Sequence, residues 1–470
     1  MPVFSRARNQ VTTIETRLGP VTGLERNGIS VFLGIPFAEP PVGERRWMPP
    51  VPVSGRPEGV AATAHPPRCY QPPYMDVLQG RPIPGELSED CLYLNIYTPQ
   101  PDSKWRPVMV WIHGGAFFQG SANEYDGTVI ARDNDVVVVA VNYRLGVFGF
   151  MDLSPLGEAY KGSASLGFRD QIAALEWVRD NIADYGGDPN NVTIWGESAG
   201  GGSVLALIAA PSAKGLFHKA IACSPVEIMG PPRDSLSAIA AQTGKEGDDL
   251  LAHLREMDGK GLLALQTEGV VSPGASVDGY VITEQPSRAI RNNGGGGVPL
   301  IAGNNKDEGT FLVDAVPPEG YDLMLVGLGA VVANGDPAEY LAALEGLAGS
   351  GERRPKVIRV WQDTFRSSVL RAGLAACEAG PGGWVYSFEV PGNTDLGVTH
   401  ASEIAFTFNV FKGDVEGAFS FHDMEDPKNK EIAEKWSRTL AHFARTGNPN
   451  GAGLPSWPQY DRVARSCLVV

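Results

Sequence analysis

A serine set between two glycines, Gly196-Glu197-Ser198-Ala199-Gly200, is where residue type and spacing in this sequence first suggest covalent chemistry. The string alone is weak, since a chain with 57 glycines among 470 residues contains about 0.4 such strings by chance. Its setting is stronger. Residues 192–195 before it read as a strand and those from Ala199 onward as a helix, the setting of a nucleophile elbow. Gly196 and Gly200 lack Cβ atoms, so neighbouring backbones can crowd in and push the serine hydroxyl clear of the sheet. The helix N-terminus behind it favours developing negative charge. A second glycine-rich turn, His113-Gly114-Gly115-Ala116, follows the apolar run 108–112 and can aim successive N–H groups at one oxygen. The N–H of Ala199 adds a further donor.

Acyl transfer by a serine needs a general base, and the base needs a carboxylate to orient it. With such an elbow the chain order is Ser, then Asp or Glu, then His. Five of the seven histidines follow Ser198: His218, His253, His400, His422 and His442. His218, His253 and His442 lie in charged, helix-like stretches and read as surface or packing residues. His400 lies in a loop ten residues after a predicted strand ending at Val390, where such a sheet exposes its chemistry. His422 ranks next. Asp307 and Glu308 both follow a predicted strand at 298–302, and position alone leaves the acid open between them.

These groups need a frame. Residues 108–112 and 136–141 are continuous apolar runs, as in strands buried on both faces by helices. A helix is expected over 170–182, ended by Gly186-Gly187-Asp188-Pro189, then the strand 192–195 and the helix from 199. Further strands are expected at 298–302 and 384–390. Alternating strands and helices imply an α/β protein with a mostly parallel sheet. Ahead of it, Asn27-Gly28 between apolar runs predicts a hairpin and an antiparallel start. Residues 36–90 read as Pro- and Gly-rich ordered loops and 292–297 as a flexible loop. Residues 315–380 read as helical, a candidate cap over the sheet. No repeat or long linker appears, so one domain over 1–470 is expected.

The net charge is −15 with no basic run, which argues against nucleic acid as a partner. No apolar stretch reaches membrane-spanning length, and residues 1–10 carry no secretory pattern, so the cytoplasm is the default location. Five cysteines, Cys69, Cys91, Cys223, Cys377 and Cys467, read as free thiols rather than a disulfide scaffold, with a Cys69–Cys91 bridge kept open.

From about Gly34 to Pro458 the sequence resembles the type-B carboxylesterases, the group of cholinesterases and bacterial p-nitrobenzyl esterases. The resemblance rests on a collinear set of motifs. They begin with Gly34-Ile35-Pro36-Phe37-Ala38-Glu39-Pro40-Pro41, Ser88-Glu89-Asp90-Cys91-Leu92-Tyr93-Leu94-Asn95 and Trp111-Ile112-His113-Gly114-Gly115. They continue with Asn142-Tyr143-Arg144, residues 186–201 around Ser198, Gly397-Val398-Thr399-His400-Ala401-Ser402-Glu403 and Thr446-Gly447-Asn448-Pro449.

The resemblance implies the α/β-hydrolase fold, with a small N-terminal antiparallel sheet and helical insertions capping the site. It implies ester hydrolysis without metal or cofactor, acting on a small-molecule ester. Ser198 would be the nucleophile, Glu308 the acid in preference to Asp307, and His400 the base. Gly115, Ala116 and Ala199 would be the oxyanion donors. Arg144 and Asp170 would form a structural ion pair, and Cys69 and Cys91 match a bridge of secreted animal members. Ser224 and Glu197 are candidate neighbours of the triad. Ser165 departs from the family, standing where Asn is usual. Amide or carbamate hydrolysis on the same residues, and a silent binding protein, are the rival readings. Phe117, Phe118, Phe311, Leu312, Phe406 and Phe408 are candidates for an apolar substrate pocket.

Overall fold

The computed structural model describes residues 10–79, 82–228, 230–292, 297–348, 352–412 and 420–470. The chain starts with β1 (Gln10–Thr16), β2 (Gly19–Arg26) and β3 (Ile29–Pro36), paired antiparallel. Asn27 (φ 48°) and Gly28 (φ 82°) both take the left-handed conformation that the hairpin turn requires. The described residues within 36–90 are loops broken by short elements, as expected. The expected loop at 292–297 falls mostly on 293–296, which lie outside the described residues.

The rest of the sheet follows. It consists of β4 (Tyr93–Thr98), β5 (Arg106–Ile112), β6 (Val137–Val141), β7 (Gly187–Glu197), β8 (Lys219–Cys223), β9 (Leu300–Asn305), β10 (Gly383–Phe388) and β11 (Leu468–Val469). Together with Val60–Ala61 beside β2 they form one sheet in the order β1-β2-β3-β4-β6-β5-β7-β8-β9-β10-β11. From β6 to β11 every neighbouring pair is parallel, and β4 joins β6 antiparallel.

Every residue of β5 and β6 is buried, so these runs carry no polar face. Alternate side chains enter opposite layers. Val108, Val110 and Ile112 join one apolar cluster, while Met109 and Trp111 join another. The first layer contains α1 (Leu166–Asn181) and α2 (Ala199–Ala209). Helices α3 (Tyr321–Ala333), α4 (Ala338–Ala348) and α5 (Arg353–Ala379) come between β9 and β10, in the stretch expected to be helical. Helix α6 (Pro427–Thr446) covers the second layer through Ala433, Trp436 and Leu440. The sequence placed the start of α1 four residues late, at Asp170. Ser165, the departure from the family pattern, precedes α1 with its hydroxyl buried and unpartnered, and a short 3₁₀ turn over 163–165 leads into the helix instead.

Candidate active site

The chemistry-bearing residues of the sequence meet at the carboxyl end of the parallel strands, where such sheets place their sites. Ser198 follows β7 directly and caps α2 at φ 59°, ψ −121°, a strained conformation for a residue with a side chain. Its N–H donates to Cys223 C=O at 2.9 Å, and its C=O accepts from Gly202 N–H at 2.8 Å. The flanking glycines are sterically required. A Cβ on Gly200 would lie 2.0 Å from Ile112 O, and one on Gly196 would lie 2.6 Å from the same oxygen.

The glycine turn after β5 touches this elbow. A Cβ on Gly114 would come within 3.1 Å of Ser198 Cβ. Gly115 (φ 102°), Ala116 (φ 54°) and Phe117 (φ 64°) are all left-handed, which swings the backbone outward. Gly115 is half-buried and Ala116 exposed. Among the described residues, no backbone or side-chain acceptor takes the N–H of Gly115 or Ala116. Ala199 N–H belongs to the first turn of α2, where N–H groups have no intrahelical partner.

Glu308 and His400 are joined. Glu308, three residues beyond β9, lies 2.5 Å through Oε2 from His400 Nδ1. Its other oxygen accepts from Asn305 N–H at 2.7 Å and from Ser224 Oγ at 2.6 Å. Asp307 instead accepts from Val398 N–H in the loop leading to His400, so of the two carboxylates it is Glu308 that touches the imidazole. His422, the other histidine considered, is buried elsewhere and hydrogen-bonds Val390 C=O through Nε2.

Glu197 Oε1 sits 3.2 Å from His400 Nε2 without hydrogen-bond alignment. Among the described residues, no hydrogen bond joins Ser198 Oγ to His400. Glu403, which sequence reasoning missed as a site residue, completes the cluster. Its Oε2 accepts from Asn305 Nδ2 at 2.6 Å, and its Oε1 lies 3.1 Å from Ser224 Oγ. Ser224 Oγ thus lies within donor reach of both carboxylates and closer to Glu308. Burial, followed by repulsion from Glu308, lifts the pKa of Glu403 to about 7. Burial also lifts Glu197 to about 8, with Glu403 and Glu308 adding to it against the pull of His400. Burial acts to lower His400, but Glu197, Glu308 and Glu403 outweigh it and raise the imidazole to about 9.

The arrangement is a half-buried elbow serine, a nearby set of unused N–H donors and an imidazole held by a carboxylate, as acyl transfer needs. Comparison with known proteins decides the family. The Carboxylesterase family pattern matches residues 10–323 and 339–469. The chain belongs to the carboxylesterase family. It is 34% identical to the para-nitrobenzyl esterase of Bacillus subtilis over 97% of this chain and 94% of that protein. It is 34% identical to the liver carboxylesterase of Sus scrofa over 98% and 88%. Among solved structures it is similar to a Geobacillus stearothermophilus carboxylesterase, with a TM-score of 0.83, 35% identity and coverage of 97% and 96%. The protein is thus a serine carboxylesterase of the α/β-hydrolase fold, hydrolysing carboxylic esters to acid and alcohol.

Two further expectations resolve in this carboxylesterase. Arg144 and Asp170 form a buried bidentate pair at 2.7 and 2.8 Å. All five cysteines are free, with Cys69 and Cys91 buried next to each other. The pocket expectation needs correction. Phe406 and Phe408 are core, with Phe408 packed on Trp111, Trp195 and Tyr125. Phe117, Phe118, Phe311 and Leu312 remain half-buried near the site. Among the described residues no helix is long and apolar enough to cross a membrane.

Proposed function

We propose that Ser198 attacks the ester carbonyl while His400 takes its proton, with Glu308 orienting the ring and balancing its charge. The N–H groups of Gly115, Ala116 and Ala199 hold the oxyanion, each worth about 10²–10³ in rate. His400 then protonates the departing alcohol, and water releases the acid by the same steps. The observation that carries this reading is the Glu308–His400 contact of 2.5 Å, placed on the same strand-end surface as the strained Ser198 elbow. In the free enzyme His400 Nε2 faces Glu197, so bound substrate has to draw it toward Ser198. Such hydrogen bonds are often loose before substrate binds.

The half-buried Phe117 and Phe118, next to the oxyanion turn, favour esters with an apolar acyl or alcohol group. Helices α3 to α5 serve as the cap of a single 470-residue domain on this reading. Five reduced thiols support a cytoplasmic setting, which cell fractionation tests. The main test pairs a phosphonylating probe with p-nitrophenyl esters of rising chain length. The probe is expected on Ser198, and Ser198→Ala is expected to lose both labelling and turnover. Full esterase activity in Ser198→Ala would overturn the assignment.

A further inference from the structure

One face of α5 reaches both the acid and the base. Residues 358, 362 and 365 recur at helical spacing and so point to one side. At the first, a Cβ added to Gly309 would come 2.1 Å from Ile358 O, so the backbone just after Glu308 lies flat against the helix. At the second, Gln362 Oε1 accepts from the N–H of Glu308 at 2.7 Å, while its Nε2 donates to Asn305 C=O at 3.2 Å. The side-chain amide thus closes the turn that carries the acid. At the third, the ring of Phe365 lies over the imidazole of His400, with centroids 4.7 Å apart and planes at 32°. Phe365 is itself buried and braced by Trp361.

The imidazole therefore meets Glu308 at Nδ1, Glu197 at Nε2, and Phe365 across one face. The Glu308 contact fixes where Nδ1 lies. It leaves the ring free to tilt and swing about that nitrogen, and the flat Phe365 ring packed across its face restricts that freedom. Further along the helix, Ser368 accepts from Glu227 N–H at 3.1 Å and Arg371 pairs with the Glu227 carboxylate at 2.7 Å. These contacts anchor α5 to the segment after β8.

We infer that α5 sets the geometry of the acid and the base, with Gln362 and Phe365 as positioning residues for Glu308 and His400. The inference rests on the triad proposed above and is distinct from it. Phe365 is buried against His400 and Gln362 is bonded to the backbone around Glu308, so on this reading their loss lowers kcat and leaves KM nearly unchanged.

The test uses the full chain, with active enzyme counted by the phosphonylating probe and folding checked by circular dichroism. Phe365→Leu keeps an apolar filler and removes the flat ring. It is expected to lower kcat by about 10- to 100-fold at constant KM, as a small misplacement of a catalytic group does. It should slow labelling of Ser198 by a similar factor. It should also shift the acid limb of the kcat/KM profile to lower pH, because an aromatic face favours imidazolium. Phe365→Tyr keeps the ring and is expected to restore most of the rate. Gln362→Met removes both amide hydrogen bonds, should reproduce the kcat loss, and replaces Phe365→Leu if that variant does not fold. Wild-type kcat, labelling rate and pH profile in folded Phe365→Leu and Gln362→Met would overturn the positioning role. Failure of the wild-type enzyme to be labelled at Ser198 would instead overturn the triad.

Discussion

Three carboxyl groups around one imidazole govern how this site titrates. His400 is raised to about 9 because Glu197, Glu308 and Glu403 outweigh the burial that acts to lower it. A general base works only when neutral, and kcat/KM reports the free enzyme. Activity on an uncharged ester is therefore expected to climb with pH through the alkaline range, with a midpoint well above the ordinary histidine value of about 6.5. Glu197→Gln removes the charge that raises His400 most, so its midpoint should move to lower pH. Initial rates in a pH-stat give both profiles, and an identical midpoint in the two enzymes would show that His400 does not feel Glu197. Ser224→Ala probes the other side. It removes a 2.6 Å hydrogen bond to a buried carboxylate, an interaction worth about 1.5–3 kcal/mol. Chemical denaturation should show that loss, with kcat falling while KM holds.

At the scale of the element, the elbow is a steric solution. The Gly200 Cα faces Ile112 O so closely that an added Cβ would stand 2.0 Å from it, and the obstacle is backbone. Gly200→Ala is therefore expected to cost more than the usual 1–3 kcal/mol or so of overpacking, seen as a lower denaturation midpoint or as insoluble protein. A soluble variant of wild-type stability would mean that β5 and α2 can separate. This elbow was legible in the sequence because its parts are local: a strand, two glycines and a helix that follow one another directly in the chain. The strands β5 and β6 were legible for the same reason. The end of β9 was not. Its apolar run stops at Ala302, yet the ladder continues through Asn304 and Asn305, which pair with Ser387 and Phe388. Asn305 is buried there because its amide donates to Glu403, a residue 98 positions away. Gln362 and Phe365 were hidden likewise, since helical periodicity shows that they share a face and not what the face meets. Only Glu403 left a nearby trace, three residues past His400. Phe406 and Phe408 misled in the opposite direction, because closeness in sequence to His400 says nothing about which side of the backbone a ring takes.

The whole molecule depends on contacts that bring distant segments to one place, and the Arg144–Asp170 pair is the clearest. Arg144 follows β6, Asp170 lies in α1, and Arg144 also donates to Met48 C=O at 2.8 Å in the early loops. Both side chains are almost fully buried, so neither charge has water to fall back on. Removing one partner leaves the other charge buried and uncompensated, at a cost of about 3–5 kcal/mol. Proteins of this kind have only about 5–15 kcal/mol to lose. Asp170→Ala should therefore unfold at much lower denaturant, or accumulate poorly, although Asp170 lies outside the catalytic contacts. Replacing both partners with apolar residues of similar volume, Arg144→Met with Asp170→Leu, removes the buried charge altogether. It should recover much of the stability lost in the single variant. A double variant as unstable as Asp170→Ala would mean that the pair's hydrogen bonds to the loop, and not its uncompensated charge, hold these three segments together.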